Sequence, residues 1–196
     1  TGDVNGDGND DVFFCGAAGQ AGELHLSDDK ASFRKAAASP WKSDETAEDA
    51  DATFFDADND GDLDLFVVSG GSEFAPDSEL YQDRLYINDG KGGFEKALHS
   101  MPEETTSGGC AAAADYDKDG DQDLFVGGRH APFSYGMIPR SSLLQNNSTK
   151  DLRFVDVTAD TPALSNPGMV TAAVWSDFNN DSWPDLIIAG EWMPIR

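Results

Sequence analysis

A nine-residue acidic segment occurs four times along the chain, at intervals of 53, 59 and 62 residues. Its pattern is D-x-[DN]-x-D-G-x-x-D, and the one departure is Ser182, which stands where the other copies have glycine. A repeat at this spacing indicates supersecondary units that stack on one another. The copies are residues 3–11, 56–64, 115–123 and 177–185, which we call loops 1 to 4.

These loops hold 17 of the 37 acidic residues of a chain whose net charge is −24. Carboxylates packed so closely repel one another unless a cation neutralises them, and oxygen ligands at alternating positions suit Ca²⁺. We expect side-chain oxygens from positions 1, 3, 5 and 9, with two from position 9, and a backbone carbonyl from position 7. Glycine at position 6 allows the sharp turn. For any one loop, a set of Asx turns without a metal is the alternative.

The predicted ligands of up to four Ca²⁺ ions therefore follow from the register of the repeat. They are Asp3, Asn5, Asp7, Asn9 and Asp11 in loop 1; Asp56, Asp58, Asp60, Asp62 and Asp64 in loop 2; Asp115, Asp117, Asp119, Asp121 and Asp123 in loop 3; and Asp177, Asn179, Asp181, Trp183 and Asp185 in loop 4.

Other metals and the EF-hand fit this pattern less well. Mg²⁺ tends to keep its waters, and zinc favours His and Cys, which are absent from all four loops. An EF-hand requires a Glu at position 12 and a following helix. Position 12 is apolar in every copy, and a short strand-like run such as Leu65-Phe66-Val67-Val68 follows each loop. The EF-hand interpretation therefore fails.

The segments around the loops predict four short strands per repeat, which is one blade of a β-propeller. The fold class we predict is an all-β propeller segment of four-stranded antiparallel blades, spanning 1–196 as a single unit. The blades are about 1–40 (partial), 41–100, 101–160 and 161–196 (partial), with three, four, four and two strands. A helix over 45–52 is locally plausible, but the repeat register overrides it. We expect the remaining blades of a longer propeller to lie outside this chain.

The four loops with their following strands resemble the FG-GAP/VCBS repeats of integrin α-subunit heads and of many secreted bacterial proteins. Segments 85–94, 123–129 and 183–192 are most similar to the ASPIC/UnbV-associated group, which is related to cartilage acidic proteins. The resemblance implies an exported protein, Ca²⁺ in the loops, and a role in adhesion or ligand binding. It implies a secreted, cell-surface or periplasmic location and an extracellular protein or glycan as partner.

Differences among the loops predict different affinities. Loops 1 and 4 have Asn at position 3 and so carry one charge fewer there than loops 2 and 3. Ser182 should strain its turn by about 1 kcal/mol if its φ is positive. We therefore expect loops 2 and 3 to bind Ca²⁺ more tightly, and loop 1 most weakly.

Composition excludes several classes of partner. A surface this acidic repels nucleic acids and anionic lipids, and the chain has no apolar run of the roughly 18 residues that a membrane span needs. We therefore expect neither nucleic-acid binding nor membrane insertion. The two cysteines, Cys15 and Cys110, are expected to be buried free thiols.

A long connection at 127–140 collects basic and aromatic groups in this acidic chain, so Arg129, His130, Tyr135 and Arg140 are candidate ligand contacts. The alternative is an insertion that packs over the neighbouring blade. Catalytic motifs are absent from the sequence, so we expect no enzyme. The alternative functions are the propeller domain of a polysaccharide lyase-like enzyme, or a lectin.

Overall fold

The computed structural model describes residues 1–30, 32–148, 151–164 and 166–195. In this part of the chain, thirteen β-strands form four antiparallel sheets of three, four, four and two strands, which we call sheets I to IV. None of the described helices is long and apolar enough to cross a membrane; they are the 3₁₀ turns Pro40–Asp44, Glu79–Tyr81, Thr158–Asp160 and Pro162–Leu164.

Consecutive strands pair with each other, so each sheet is a simple antiparallel meander. Sheet I contains β1 (Val12–Phe14), β2 (Glu23–Leu26) and β3 (Arg34–Lys35); sheet II contains β4 (Asp49–Phe55), β5 (Asp64–Ser69), β6 (Arg84–Asn88) and β7 (Phe94–Lys96); sheet III contains β8 (Gly108–Ala114), β9 (Asp123–Gly128), β10 (Ser142–Asn146) and β11 (Phe154–Asp156); sheet IV contains β12 (Met169–Ser176) and β13 (Asp185–Glu191).

This topology puts loops 2, 3 and 4 at the same place in their sheets. Each loop connects the first strand to the second, and its position-9 aspartate is the first residue of the second strand. In sheet I, a bridge between Gly2 and Asp11 closes loop 1 in the same way. The acidic repeat is therefore the turn of a β-hairpin in every copy, and residues 45–52 enter strand β4 instead of a helix.

The second strands of sheets II and III are apolar between their ends because both of their faces are covered. Along β5, Leu65 and Val67 face a cluster shared with sheet I, while Phe66 and Val68 face a cluster shared with sheet III. Successive side chains of a strand point to opposite faces, so a continuous apolar run serves two interfaces at once. All four side chains are fully buried, and each contributes roughly 1.5–3 kcal/mol through burial.

Three such clusters hold the four sheets in chain order. Trp41 fills the first, between sheets I and II, where its ring meets Tyr86 and Phe94 edge to face at centroid distances of 5.8 Å. Phe55 and Phe154 pack together in the second, between sheets II and III. The third lies between sheets III and IV. Burial of side chains between the faces of neighbouring sheets therefore joins the sheets more than hydrogen bonding between their edge strands does.

Buried polar contacts accompany these clusters. The Arg84 guanidinium donates to Asp49 Oδ1 at 2.7 Å, and both side chains are almost fully buried. The other oxygen of Asp49 accepts the Gly16 N–H at 2.7 Å, which ties sheet II to the chain that follows β1. Asp51 does the same towards sheet III by accepting the Ala111 N–H at 3.0 Å. These carboxylates fix the first strands of sheets II and III against their neighbours.

Neither cysteine forms a disulfide. Cys110 is buried in the cluster between sheets III and IV, as expected. The expectation of burial was wrong for Cys15, which is exposed. It directly follows β1, and β1 is an edge strand of sheet I within the described residues, so no neighbouring strand covers it.

Candidate metal centres

All four loops share one hydrogen-bonded frame. The N–H of position 6 donates to the position-1 carboxylate at 2.8, 3.1, 3.1 and 2.9 Å in loops 1 to 4. The N–H of position 7 donates to the position-5 carboxylate at 2.9, 3.0, 3.0 and 2.8 Å. The N–H of position 2 donates to the position-9 carboxylate at 3.1, 2.8, 3.2 and 3.0 Å. The aspartates of the repeat therefore shape the turn themselves, by accepting backbone donors.

Two residues of each loop adopt left-handed backbone angles. At position 6, φ is between +70° and +103°, and Ser182 is the copy with +70°, so the condition for the predicted strain is met. Position 4 is left-handed too, and the sequence reasoning missed it. The sequence signal at position 4 was the presence of Gly6, Asn59 and Asn180, because Gly and Asn adopt positive φ most readily. Lys118, at φ +63°, gave none.

The position-9 aspartates of loops 1 to 3 lie beneath their loops, fully removed from solvent, whereas Asp185 of loop 4 is half-buried. Besides the position-2 N–H, each of the three carboxylates of loops 1 to 3 accepts a second backbone N–H. The donor is Ser27, directly after β2, for Asp11; Asn88, at the end of β6, for Asp64; and Asn146, at the end of β10, for Asp123. These distances are 2.7, 2.8 and 2.8 Å. Both oxygens of each carboxylate are thus engaged by the backbone. A position-9 aspartate that binds a metal would do so through the carboxylate lone pairs that these hydrogen bonds leave free.

In loops 2 and 3, three carboxylates converge on one point. Ligand oxygens of positions 1, 3 and 9 lie within 4.8 Å of one another: Asp56, Asp58 and Asp64 in loop 2; Asp115, Asp117 and Asp123 in loop 3. In both loops, one oxygen of the position-1 carboxylate, Oδ1, is buried and accepts no hydrogen bond. A buried carboxylate oxygen without a donor is costly unless a cation meets it. The residues present therefore fit a hard divalent cation.

The electrostatics of these two clusters agree with that fit. Burial raises the pKa of Asp64 to about 7 and that of Asp123 to about 6, and repulsion from neighbouring loop carboxylates adds to both increases. Burial and the same kind of repulsion also raise the pKa of Asp58. Negative charge is therefore disfavoured in the clusters, and a divalent cation bound there offsets this cost.

Loops 1 and 4 arrange their position-1 carboxylate differently. Oδ1 of Asp3 accepts the N–H groups of Gly6 and Asp7 at 2.8 and 3.2 Å. Oδ1 of Asp177 accepts the Asp181 N–H at 3.0 Å. The oxygen left without a partner in loops 2 and 3 is thus bound to backbone here. This difference supports the prediction of tighter binding in loops 2 and 3, which stays a prediction.

The remaining predicted ligands lie on the exposed side of the loops. Asp60 and Asp119, at position 5, accept the position-7 N–H and are exposed. Asp121, at position 7, accepts a hydrogen bond from the side-chain amide of Asn59 in the preceding loop. In loop 4, the exposed ring of Trp183 lies 4.2 Å from the Lys118 ammonium of loop 3. Neighbouring loops therefore contact each other and form a continuous row.

The predicted ligand-contact residues lie away from this row, where the connection after β9 meets the end of β13. The Arg129 guanidinium and the Tyr135 hydroxyl each donate to Glu191 at 2.7 Å. His130 is half-buried, and Arg140 forms ion pairs with Glu104 and Asp156. The structure thus brings Arg129 and Tyr135 together on Glu191, and this contact packs the connection against sheet IV.

Two aromatic rings remain exposed at this contact. Tyr135 is 68% exposed and Trp192 is 77% exposed. Their rings meet edge to face, with centroids 5.3 Å apart. The sequence reasoning had not assigned Trp192 to this surface, because only the fold brings residue 192 next to the connection at 127–140.

Stacked antiparallel sheets with an acidic hairpin turn at the same place in each define a repeat protein of the all-β class. The model of the FG-GAP-like repeat matches residues 3–67 and 69–126, which contain loops 1 to 3 and more than half of the chain. The chain belongs to this family. No curated protein matches it. Its assignment to the ASPIC/UnbV-associated group stays a prediction.

The backbone strain at position 6 gives a reciprocal test of the loop geometry. Ser182→Gly should raise the free energy of unfolding by about 1 kcal/mol, because glycine adopts positive φ without the steric cost of a Cβ. Gly120→Ser should lower it by a similar amount. A side chain added at Gly120 meets no atom within 4 Å, so the cost there is that of the backbone alone. Urea unfolding in EDTA measures both variants. Equal stability of Gly120→Ser and the unchanged chain would contradict the account.

Proposed function

We propose that this chain is a calcium-binding module of a β-propeller, in which the bound ions stabilise the hairpin turns and loops displayed by the scaffold bind a partner. One observation carries the metal assignment: Oδ1 of Asp56 and Oδ1 of Asp115 are buried without a donor, at the same position of two independent copies of the repeat. The other oxygen of each of these carboxylates accepts the position-6 N–H, and the aspartates at positions 5 and 9 accept backbone N–H groups too, so the turns have a hydrogen-bonded frame of their own.

In loop 2 the ion would be held by Asp56, Asp58 and Asp64, and in loop 3 by the equivalent residues Asp115, Asp117 and Asp123. When bound, Ca²⁺ supplies positive charge to a cluster in which negative charge is disfavoured. Asp60 and Asp119 complete the predicted acidic ligand sets from the exposed side. The ion has a structural role in this proposal, since its ligands belong to the turn that joins the first and second strands of each sheet.

The propeller arrangement is supported by the order of the sheets. Four sheets pack face to face in chain order, their acidic turns form a row, and the family is that of FG-GAP-like repeats. Four-stranded meanders stacked through their faces are the units of a propeller. We propose that further blades complete the ring in the parent protein.

An exported location follows from the same proposal. Extracellular calcium modules work with dissociation constants of about 10⁻⁴–10⁻³ M, whereas a cytosol holds far less free Ca²⁺ than that. Loops of this chain have three carboxylates in the cluster and an open, exposed side. We therefore place the protein outside the cell, at its surface or in the periplasm.

Calcium binding and its stoichiometry test the proposal directly. Calorimetric titration with CaCl₂ should show two ions bound first, and saturating Ca²⁺ should raise Tm, because a ligand that binds only the folded chain stabilises it. Asp56→Asn and Asp115→Asn should each remove one of these two sites. Titration without heat and without a change in Tm would refute the metal assignment.

A matched control comes from loop 4, where the position-1 aspartate uses both oxygens on the backbone. Asp177→Asn makes the same chemical change in the same repeat register. It should leave the two tight sites intact, while Asp56→Asn removes one. Loss of a tight site in Asp177→Asn would show that the free oxygen does not determine affinity.

For the partner-binding surface, we propose the exposed Tyr135–Trp192 pair. Glu191 holds Tyr135 through the phenol and Arg129 through the guanidinium, so the aromatic surface is preorganised. Exposed aromatic rings beside fixed polar groups suit a saccharide or another amphipathic ligand. This arrangement favours the lectin function over the lyase, since the Arg129 charge is already paired.

Binding to immobilised glycans tests this surface. Trp192→Ala should weaken binding by about fivefold or more, because a stacking ring contributes about 1 kcal/mol or more to binding. Phe133→Ala is the control, since Phe133 is 73% exposed on the same connection. Equal losses in both variants would mean that the aromatic pair is not the binding surface, and turnover of a pectin-like substrate would favour the lyase instead.

A further inference from the structure

The third strands of sheets II and III end on asparagines that connect one acidic loop to the next. Asn88 is the last residue of β6, and Asn146 is the last residue of β10. Register places them at the same point of their sheets, because Leu65 pairs with Tyr86 as Leu124 pairs with Leu144. Both side chains are almost fully buried.

Each of these asparagines donates to two loops at once. The side-chain amide of Asn88 donates to the carbonyl of Val4 in loop 1 at 2.8 Å, and to that of Leu63 in loop 2 at 3.0 Å. The amide of Asn146 donates to the carbonyl of Ala57 in loop 2 at 2.9 Å, and to that of Gln122 in loop 3 at 3.3 Å. The acceptors are positions 2 and 8 of the repeat in both cases.

The backbone of the same asparagines reaches the metal clusters. The Asn88 N–H donates to Asp64 Oδ1, and the Asn146 N–H donates to Asp123 Oδ1, both at 2.8 Å. The Ala57 N–H donates in turn to Asp64 Oδ2 at 2.8 Å. A hydrogen-bonded path therefore runs from Asp64 through the N–H and the carbonyl of Ala57 and through Asn146 to Asp123, and all four residues are buried.

We propose that Asn146 couples the calcium sites of loops 2 and 3, so that an ion in either loop raises the affinity of the other; Asn88 has the equivalent position between loops 1 and 2. The proposal rests on the proposed calcium binding. An ion that fixes Asp64 restrains the backbone of Ala57 through its N–H, and the carbonyl of the same residue orients the Asn146 amide and hence Asp123. The second ion then binds to a site that is already ordered, so less conformational entropy is lost on binding.

The chain itself supplies the conservative replacement. Ser27 occupies the equivalent position in sheet I, and its N–H donates to Asp11 Oδ1 at 2.7 Å, as the asparagine N–H groups do. Serine therefore keeps the backbone contact with the position-9 aspartate but lacks the bridging amide. Asn146→Ser removes the link between the loops and leaves every predicted metal ligand in place.

The experiment is a thermodynamic cycle on the full chain, with CaCl₂ as the only ligand and calorimetry as the readout. Asp117→Asn with Asp119→Asn disables loop 3, and Asp58→Asn with Asp60→Asn disables loop 2. The coupling factor is the overall association constant for two ions in the chain with both loops intact, divided by the product of the association constants measured for each loop alone. The cycle is then repeated with N146S. Charges removed in the disabled loops are the same in both cycles, so their effect cancels.

We expect the coupling factor to fall by at least about fivefold with N146S, in line with measured coupling between sites. Asn147→Ser is the matched control, because it makes the same change at the neighbouring exposed residue and should leave the factor unaltered. An equal factor with and without N146S overturns the inference while calcium binding stands. Absence of any heat from the unaltered chain refutes the proposed function instead.

A second measurement applies if N146S does not fold. In the chain with loop 2 disabled, loop 3 is the tight Ca²⁺ site that remains. Hydrogen exchange of the Ala57 N–H should then slow on addition of Ca²⁺, since Asn146 transmits the order of loop 3 to the backbone of Ala57 through its carbonyl. Unchanged exchange at Ala57, together with slowed exchange within loop 3, would also overturn the inference.

Discussion

An aspartate beneath each of the first three acidic turns is removed from water and held by backbone N–H groups. In sheet II this residue is Asp64, whose two oxygens accept the Ala57 N–H from its own turn and the Asn88 N–H from the third strand. Burying a carboxylate is unfavourable unless donors or a cation compensate it. The donors fix the turn and the third strand relative to each other, and the remaining negative charge makes the site receptive to a cation. Folding of the sheet and the proposed affinity for metal therefore have the same origin.

The stacking of the sheets depends on this arrangement. Because the position-9 aspartate begins each second strand, it sets the register of the apolar residues behind it, and alternate side chains then face the preceding and the following sheet. Asn88 and Asn146 cross the same interfaces on the side of the loops. Apolar burial thus supplies the stability of the interfaces, while the polar bridges keep neighbouring turns aligned.

The features that depend on residues near one another in sequence could be predicted. The positions of the loops, the strands that flank them, the strand counts of three, four, four and two, and the positive φ of Ser182 all follow from the local pattern. Features that depend on contacts between residues distant in sequence could not be predicted. The bridges of Asn88 and Asn146, and the contact of Tyr135 with Trp192, join segments that only the fold brings together. The spacing of an asparagine 24 and 23 residues after Asp64 and Asp123 was the available signal.

The central claim is that the unpaired position-1 oxygens of loops 2 and 3 face a calcium ion. A crystal structure grown in CaCl₂, with diffraction recorded at a wavelength where calcium scatters anomalously, tests it most directly. The account predicts anomalous peaks about 2.3–2.6 Å from Oδ1 of Asp56 and Oδ1 of Asp115, the usual range for Ca²⁺–oxygen bonds. Ordered loops without such peaks, in which these two oxygens accept hydrogen bonds from water or backbone, would contradict it.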